Sequence, residues 1–336
     1  MSYNGYEDII LRNEQLTIAV SPSGGAIVNL QHRGTATNPL NFYYKEPGLQ
    51  RRSFCGHFIC TPRWGDVSPA EQEKGLVKHG DFRSLEWQIE TQSATMLTMQ
   101  AYSEAEQWMV KRTMRLAAQS SVFYVQEKLI NCSSATRAYN LVQHPTIAAP
   151  FLHATTRVDC NGAAGWRDNG IGNLPSRAGA WPAVINQQGH DVDMRMATPA
   201  DGGVYSFATG DAETGWLSAY DPHSSLLLGY VWPAQDYPFI HHWIHAEDDQ
   251  VIYRGLEFGT AAMHQPFSVQ ADNEFCWQQQ PTCRFLNGGA TATFQYYGLL
   301  THLDNAIAGI KQLNYDQQSV YVHPEGEEII YSLPIH

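Results

Sequence analysis

Positive charge is scarce in this sequence. Only six of its 336 residues are lysine, and 21 lysine and arginine residues stand against 33 aspartate and glutamate residues, so the formal net charge at pH 7 is −12. A surface of this sign repels the phosphate backbone of a nucleic acid. We therefore expect no nucleic-acid partner.

Long apolar runs are missing as well. The longest one, around residues 226–232, is only as long as a strand and contains a glycine, whereas a membrane-spanning helix needs about 20 apolar residues. The N-terminal residues show neither the basic nor the apolar segment of a signal peptide. These two observations predict a cytoplasmic protein that has no membrane partner.

The cysteines form no recognisable metal or redox motif. No two of the six are arranged as C-x-x-C, and none of their spacings matches a zinc site. We interpret them as free thiols in a reducing compartment. The six are Cys55, Cys60, Cys132, Cys160, Cys276 and Cys283.

Apolar and aromatic residues are abundant by contrast. Hydrophobic residues make up 43% of the chain and aromatic residues 12%, while only 16% of the residues are charged. This composition is typical of a packed globular protein, and a chain of this length can bury a sufficient core without disulfides. No internal repeat or linker is visible, so we predict one domain that covers residues 1–336.

Period-two alternation dominates the sequence pattern. Within residues 107–116, Trp108, Val110, Met114 and Leu116 share one face and polar side chains occupy the other, which predicts an antiparallel strand with one solvent-facing side. The chain therefore reads as all-β. The other predicted strands are residues 9–12, 16–20, 26–30, 86–90, 94–101, 122–131, 204–207, 215–220, 225–232, 239–245, 251–258 and 291–300.

One helix is predicted near the C-terminus. Leu303, Ile307, Ile310 and Leu313 recur at intervals of three or four residues, which is the spacing of the apolar stripe on an amphipathic helix. We therefore expect one short C-terminal helix beside the strands.

A histidine cluster stands out in the stretch His241-His242-Trp243-Ile244-His245. In a strand, His241 and His245 point to the same face with Trp243 between them, but they lie about 13 Å apart at ~3.3 Å per residue. That separation is too large for two ligands of one metal ion. We expect these side chains to line a polar cleft and no metal to be bound there.

The most specific motif is His79-Gly80-x-x-Arg83-x-x-x-Trp87. Its spacing resembles the H-G-x-x-R-x-x-x-W stretch of the aldose 1-epimerase, or galactose mutarotase-like, superfamily. Two further stretches are similar and occur in the same order: residues 131–134 followed by Gln143-His144-Pro145, and residues 253–257, which end on Glu257. With the opening hairpin at residues 16–30, the resemblance covers residues 8–300.

The resemblance implies a large twisted antiparallel β-sandwich that interconverts sugar anomers. It makes His144 the general acid, Glu257 the general base and His79 a substrate-binding residue. Opening a hemiacetal ring requires one proton to reach the ring oxygen and another to leave the anomeric hydroxyl, and an imidazole with a carboxylate can do both near neutral pH. The reaction requires no cofactor, metal or covalent intermediate.

The chain departs from the family pattern beside these residues. Asp81-Phe82 stands where Phe-Ala is common, Thr146-Ile147 replaces an aromatic pair, and Phe258 occupies the place of a proline. Where the family has an acidic residue before a phenylalanine, only Asp201 is available, out of register. These differences leave the acid and the base in place but leave the identity of the sugar open.

Several other residues could contact the sugar. Arg51, Arg52 and Arg63 precede His79, and we expect Arg52 to hold sugar hydroxyls. We also place Trp243 and His241 in the binding site.

Other members of the motifs have structural interpretations. Trp64 and Trp232 could stack on a sugar, although most of the nine tryptophans must belong to the core. We interpret Arg83 as a buried hydrogen-bonding fork and Trp87 as a core residue.

The main hypothesis is an isomerase, monomeric or homodimeric, that acts on an unphosphorylated monosaccharide. Two alternatives remain open: a mutarotase for sugar phosphates such as a hexose 6-phosphate, and a non-catalytic carbohydrate-binding protein of the same fold. The presence of both His144 and Glu257 favours catalysis, because binding alone needs no acid–base pair. A lyase or hydrolase subdomain is a weaker alternative, since such sandwiches usually accompany a signal peptide or a second domain.

Overall fold

The computed structural model describes residues 2–3, 6–45, 52–167, 178–186, 189–196, 198–262, 264–271, 276–303 and 307–336. Two large antiparallel sheets contain most of the described strands. We call them sheet A and sheet B. No helix in the described part of the chain is long and apolar enough to cross a membrane.

Sheet A has nine strands and carries most of the residues that the sequence motifs singled out. In spatial order its strands are Ala164–Arg167, Gly203–Ala208, Phe239–Glu247, Gln250–Gly259, Val142–Ala148, His57–Cys60, Ile27–His32, Leu16–Val20 and Ile9–Arg12.

Sheet B has eight strands. In spatial order they are Arg157–Cys160, Thr214–Asp221, Leu226–Pro233, Thr291–His302, Val122–Asn131, Trp108–Leu116, Met96–Ser103 and Gln88–Gln92.

The remaining elements are small. A three-stranded sheet consists of Ile310–Tyr315, Ser319–Pro324 and Tyr331–Pro334, and the short helices are Pro69–Glu73, Phe267–Gln270, Met194–Met196 and Pro199–Asp201. The two-stranded pairs are Ser2–Tyr3 with Tyr6–Glu7, Tyr43–Tyr44 with Phe54–Cys55, Arg137–Tyr139 with Arg284–Leu286, Ala183–Ile185 with Asp191–Asp193, and Cys276–Trp277 with Gln280–Pro281.

Sheets A and B share one hydrophobic core because their strands alternate as the sequence predicted. In Trp108–Leu116, the side chains of Trp108, Val110, Met114 and Leu116 are all buried. Leu256 and Phe258 of sheet A face the same core, whereas Glu257 between them points to the opposite face, as period two requires. The chain is therefore an all-β protein built on an antiparallel sandwich.

Arg112 also lies on the core face of its strand. Its Nε donates to Glu127 Oε1 on the neighbouring strand at 2.8 Å, and Glu127 Oε2 accepts from Gln143 Nε2 at 2.5 Å. The Arg112 guanidinium also donates to the carbonyl of Gly25 and lies 5.1 Å from the ring of Trp87. This buried charge is therefore paired, as a charge in a protein core must be.

The predicted C-terminal helix is wrong. Ile310 and Leu313 lie in the strand Ile310–Tyr315, and residues 304–306 of the predicted helix fall outside the described residues. An irregularity between Ile310 and Gln312 shifts the strand register by one residue. Both side chains consequently face the small core against sheet B, and a bulged strand imitates the three-residue spacing of a helix.

Candidate active site

A row of side chains crosses the outer face of sheet A, away from the shared core. Phe58 pairs with His144 on one neighbouring strand, and Glu257 pairs with His241 on another. The register between the strands of His144 and Glu257, set by Gln143 opposite Phe258, puts these two side chains directly across from each other. His144 and Glu257, more than a hundred residues apart in the sequence, therefore lie side by side on adjacent strands.

His144 and Glu257 are in direct contact. His144 Nε2 lies 3.1 Å from Glu257 Oε1. The other ring nitrogen, Nδ1, lies 3.0 Å from the Thr146 hydroxyl, and the imidazole stacks on the Phe58 ring at 4.3 Å between centroids. The ring is thus held on one face and at both nitrogens.

Gly255 leaves the space that this contact needs. It lies on the same face as Glu257, opposite Trp243. A Cβ at this position would lie 2.8 Å from Glu257 Oε1 and 3.1 Å from Trp243 Cβ. Any larger residue would therefore displace the carboxylate from His144.

The pair opens into a cavity of about 430 Å³. Phenylalanine, tyrosine and tryptophan side chains make up about half of the lining residues, and lysine, histidine and glutamate side chains make up nearly all of the rest. Its described lining residues are Phe42, Tyr44, Phe54, Phe58, Trp64, Lys78, His79, His144, Val204, Trp243, His245, Glu247, Tyr253, Glu257 and His264.

Burial sets the protonation of the pair. It lowers the pKa of His144 to about 3 and raises the pKa of Glu257 well above its ordinary value. Both shifts favour the uncharged form, because a charge is poorly solvated there. Two groups in contact titrate as one unit, so the uncharged pair holds a single exchangeable proton between Oε1 and Nε2.

Glu257 has one oxygen left over. Its Oε2 is buried, and no described residue meets full hydrogen-bonding geometry at this oxygen, although the Trp64 side chain lies near enough to the Glu257 carboxyl to lower its pKa. Because an unpaired buried polar atom is costly, such an atom in a cavity wall marks a place where a ligand donor can bind.

His79 reaches the cavity through an unusual backbone. It adopts a left-handed conformation with φ of 64°, and Gly80 follows with φ of 73°. The Nδ1 atom of His79 accepts a hydrogen bond from the Gly65 amide at 3.2 Å. Since burial lowers the pKa of His79 well below its ordinary value, the neutral ring carries its proton on Nε2, where it can serve as a donor.

The rest of the His79 motif holds this segment in place. Arg83 donates to the Lys78 carbonyl and to the Ser53 hydroxyl, and it stacks on Phe54 at 4.1 Å. Trp87 is buried, and its Nε1 donates to the Phe82 carbonyl at 3.0 Å. The structural interpretation of Arg83 and Trp87 is therefore confirmed.

Arg52 and His241 do not line the cavity, contrary to expectation. Arg52 is buried, and its Nη1 binds Asp8 at 2.6 Å. His241 lies in the row beside Glu257, but its Nδ1 is bonded to Ser206 at 2.8 Å and the Trp64 ring lies over it at 4.2 Å. The sequence showed that His241 faces the correct side of the strand but could not show that a distant tryptophan covers it.

The other candidate residues have different environments. Arg63 binds Glu106 through Nε at 2.9 Å and also pairs with Glu71, so it stabilises the helix Pro69–Glu73. Asp201 accepts from Thr198 and caps its own short helix. Arg51 lies outside the described residues.

Tryptophan positions divide between cavity and core. Trp64 and Trp243 line the cavity, whereas Trp232 is buried between the sheets and stacks on Phe258 at 4.2 Å. The ring of Trp243 also stacks against His245 at 5.5 Å.

Sequence reasoning missed several residues of the site. Thr146, which had been noted only as a departure from the family pattern, orients His144. His264 lies 5.2 Å from the His79 ring, and Tyr253 lies 4.8 Å from the Phe42 ring. Only Tyr253 carried a signal, because its period-two spacing from Glu257 puts both on one face.

The fold has close counterparts among solved structures. A galactose mutarotase-like protein from Clostridium acetobutylicum is 13% identical, with a TM-score of 0.67 over 90% of this chain and 97% of that chain. A galactose mutarotase-like protein from Lactobacillus casei is 15% identical, with a TM-score of 0.62 over 88% of this chain and 100% of that chain. A galactose mutarotase related enzyme from Lactobacillus acidophilus is 12% identical, with a TM-score of 0.62 over 89% and 99%.

Comparison of the sequence alone finds no match. No protein-family model and no curated protein matches the chain. The likeness therefore lies in the architecture, which is covered almost from end to end in each solved structure. The chain has the galactose mutarotase-like fold of these structures.

Proposed function

We propose that the protein interconverts the α and β anomers of a neutral monosaccharide by acid–base ring opening and closure. The observation that carries the proposal is the 3.1 Å contact between His144 Nε2 and Glu257 Oε1 in the wall of the cavity. The likeness to galactose mutarotase-like structures supports the same reaction class.

The chemistry needs two proton transfers, one at each of two oxygens bonded to the same carbon. The anomeric hydroxyl and the ring oxygen are bonded to the same carbon, so a substrate can replace the His144–Glu257 contact and bind one oxygen to each group. The shared proton first moves from Glu257 Oε1 to His144 Nε2, which leaves a carboxylate and an imidazolium. Glu257 then removes the hydroxyl proton while His144 protonates the ring oxygen, and the ring opens. After rotation about the bond between the first two carbons, the aldehyde closes on its other face and the protons return.

The cavity fits a sugar ring. Rings such as Trp243, Tyr253 and Phe58 provide apolar surfaces for the C–H faces of a pyranose. His79 Nε2 and His264 add polar groups for sugar hydroxyls. A pocket with apolar walls and a few fixed polar groups is typical of a small-molecule site.

The charge of the lining favours a neutral sugar. Lys78 is the one lysine or arginine among the described lining residues, and its Nζ is paired with Asp66 at 3.0 Å. Glu247 adds a carboxylate at the same cavity. A phosphate dianion usually takes two or more cationic or backbone donors.

We therefore expect kcat/KM for a neutral hexose to exceed that for its 6-phosphate by about tenfold, the cost of roughly 1.4 kcal/mol of unfavourable charge. Anomer-exchange NMR on both sugars measures the ratio. Lys78→Met should widen the ratio, whereas the matched exposed variant Lys128→Met should leave it unchanged. A preference for the phosphate that Lys78→Met abolishes would show that the substrate is a sugar phosphate.

The pH profile follows from the pair. Because burial lowers the pKa of His144 to about 3, no loss of activity is expected between pH 7 and pH 5, where an ordinary histidine would titrate. Because burial raises the pKa of Glu257, kcat/KM should fall as the pH rises through that raised value and the pair loses its exchangeable proton. The measurement is kcat/KM from pH 5 to 9, corrected for the uncatalysed rate. A rate that increases steadily with pH would instead indicate a lone ionised carboxylate acting as base.

A panel of free and phosphorylated aldoses tests the proposal as a whole. Acceleration of anomer exchange for at least one aldose at micromolar protein supports it. Binding of a sugar without acceleration would identify a carbohydrate-binding protein, and neither binding nor acceleration of any aldose would refute a role with these sugars.

A further inference from the structure

A second cluster of ligand-type side chains lies outside the cavity. It consists of His153, Asp221 and His223, whose candidate ligand atoms all lie within 4.8 Å of one another. Asp221 ends the sheet B strand Thr214–Asp221, and His223 lies in the turn before Leu226–Pro233. None of the three is a lining residue of the cavity.

Two of the distances lie on either side of the ligand spacing around a tetrahedral metal ion. His153 Nε2 lies 2.6 Å from Asp221 Oδ1, and His223 Nδ1 lies 3.7 Å from the same oxygen. Around a zinc ion with bonds near 2.0–2.1 Å, neighbouring ligand atoms lie about 3.3 Å apart. The metal therefore needs His153 and Asp221 to separate by less than about 1 Å, with release of the proton that they share.

The ligands are also held in position. Asp221 is buried, and its Oδ1 accepts from the His223 amide at 2.8 Å while its Oδ2 accepts from the Ser224 hydroxyl. The Thr155 hydroxyl lies 3.0 Å from His153 Nδ1. In this structure the Thr155 amide donates to His153 Nδ1 at 3.4 Å. A metal on Nε2 puts the ring proton on Nδ1, so this long contact is given up and Thr155 Oγ1 accepts the proton instead. Such an outer hydrogen bond is a regular feature of histidine metal ligands.

We propose that His153, Asp221 and His223 bind a divalent transition-metal ion of the zinc class. The ligand atoms are His153 Nε2, Asp221 Oδ1 and His223 Nδ1, and solvent completes the coordination because the His223 side chain is 71% exposed. Imidazole and carboxylate donors suit zinc and its neighbours in the transition series. The ion connects the segment that follows the His144 strand with a turn of sheet B.

The test is zinc titration of the tag-free, EDTA-treated full chain by calorimetry, together with the melting temperature with and without zinc. We expect one zinc ion per chain and a higher melting temperature, because a ligand that binds only the folded state stabilises it. His153→Ala and His223→Ala should abolish both effects. Thr155→Val should weaken binding by about tenfold, and His323→Ala, a histidine bonded to Asn314, is the matched control.

His223→Ala separates loss of the site from loss of the fold, since so exposed a side chain can be removed without unfolding the protein. Circular dichroism of this variant in EDTA should match that of the wild type. Absence of zinc binding, or binding that survives in both His153→Ala and His223→Ala, would overturn the proposal. Loss of binding on replacement of the neighbouring pair His32 and His302 alone would also overturn it.

Discussion

Glu257→Gln is expected to lower kcat/KM for anomer interconversion by at least about 100-fold, the usual cost of losing a general acid or base. The amide keeps the size of the side chain and its place opposite His144, but it cannot exchange a proton with Nε2. His144→Ala should cause a loss of the same order, because each ring opening and closure needs both groups. Anomer-exchange NMR at a fixed sugar concentration measures both variants.

Two controls isolate the pair. Glu104→Gln removes an exposed carboxylate between the sheet B strands Met96–Ser103 and Trp108–Leu116, and it should retain the wild-type rate. The double variant His144→Ala/Glu257→Gln should be little slower than either single variant, since residues that act as a unit are not additive. Full activity in both single variants would exclude the pair as the acid and base.

Arg112→Met is expected to lower the free energy of unfolding by about 3–5 kcal/mol, the typical cost of breaking a buried ion pair from one side. The substitution leaves Glu127 as an uncompensated charge in the core and removes the donor to the Gly25 carbonyl. Urea denaturation of the variant and the wild type measures the difference.

The same strand offers the control. Arg115→Met, on the exposed face three residues further on, should change the unfolding free energy by no more than about 0.5 kcal/mol. Arg112→Met/Glu127→Leu should recover part of the loss, because it leaves no unpaired charge. If Arg112→Met and Arg115→Met are equally stable, the buried ion pair has no structural importance.

Much of the fold could be predicted from period-two alternation. The strands Ile9–Arg12, Leu16–Val20 and Val122–Asn131 have the predicted bounds, and the others agree in place. The alternation fails where a strand is irregular, as at Ile310, since a bulge changes the spacing of apolar residues without changing their burial. Alternation also cannot explain why the charged side chain of Arg112 lies on the core face, because its partner Glu127 lies on another strand.

The site was predictable only in its motif residues. His79, His144, Glu257 and Trp243 line one cavity, as expected from their places in the motifs and on strand faces. Arg52 does not line the cavity, because Asp8, 44 residues earlier, binds its guanidinium. Such contacts depend on which segments of the chain become neighbours in the fold, and sequence spacing carries no information on that.

The proposed reaction is the opening and reclosing of an aldose ring, with protons passing through His144 and Glu257. The most direct measurement is NMR magnetisation transfer between the α and β anomeric protons of an aldose in D₂O, with catalytic amounts of protein. We predict accelerated exchange with the hydrogens on the first and second carbons fully retained, and loss of the acceleration in Glu257→Gln. No acceleration with any aldose, or deuterium at the second carbon, which would reveal enolisation, would contradict the account.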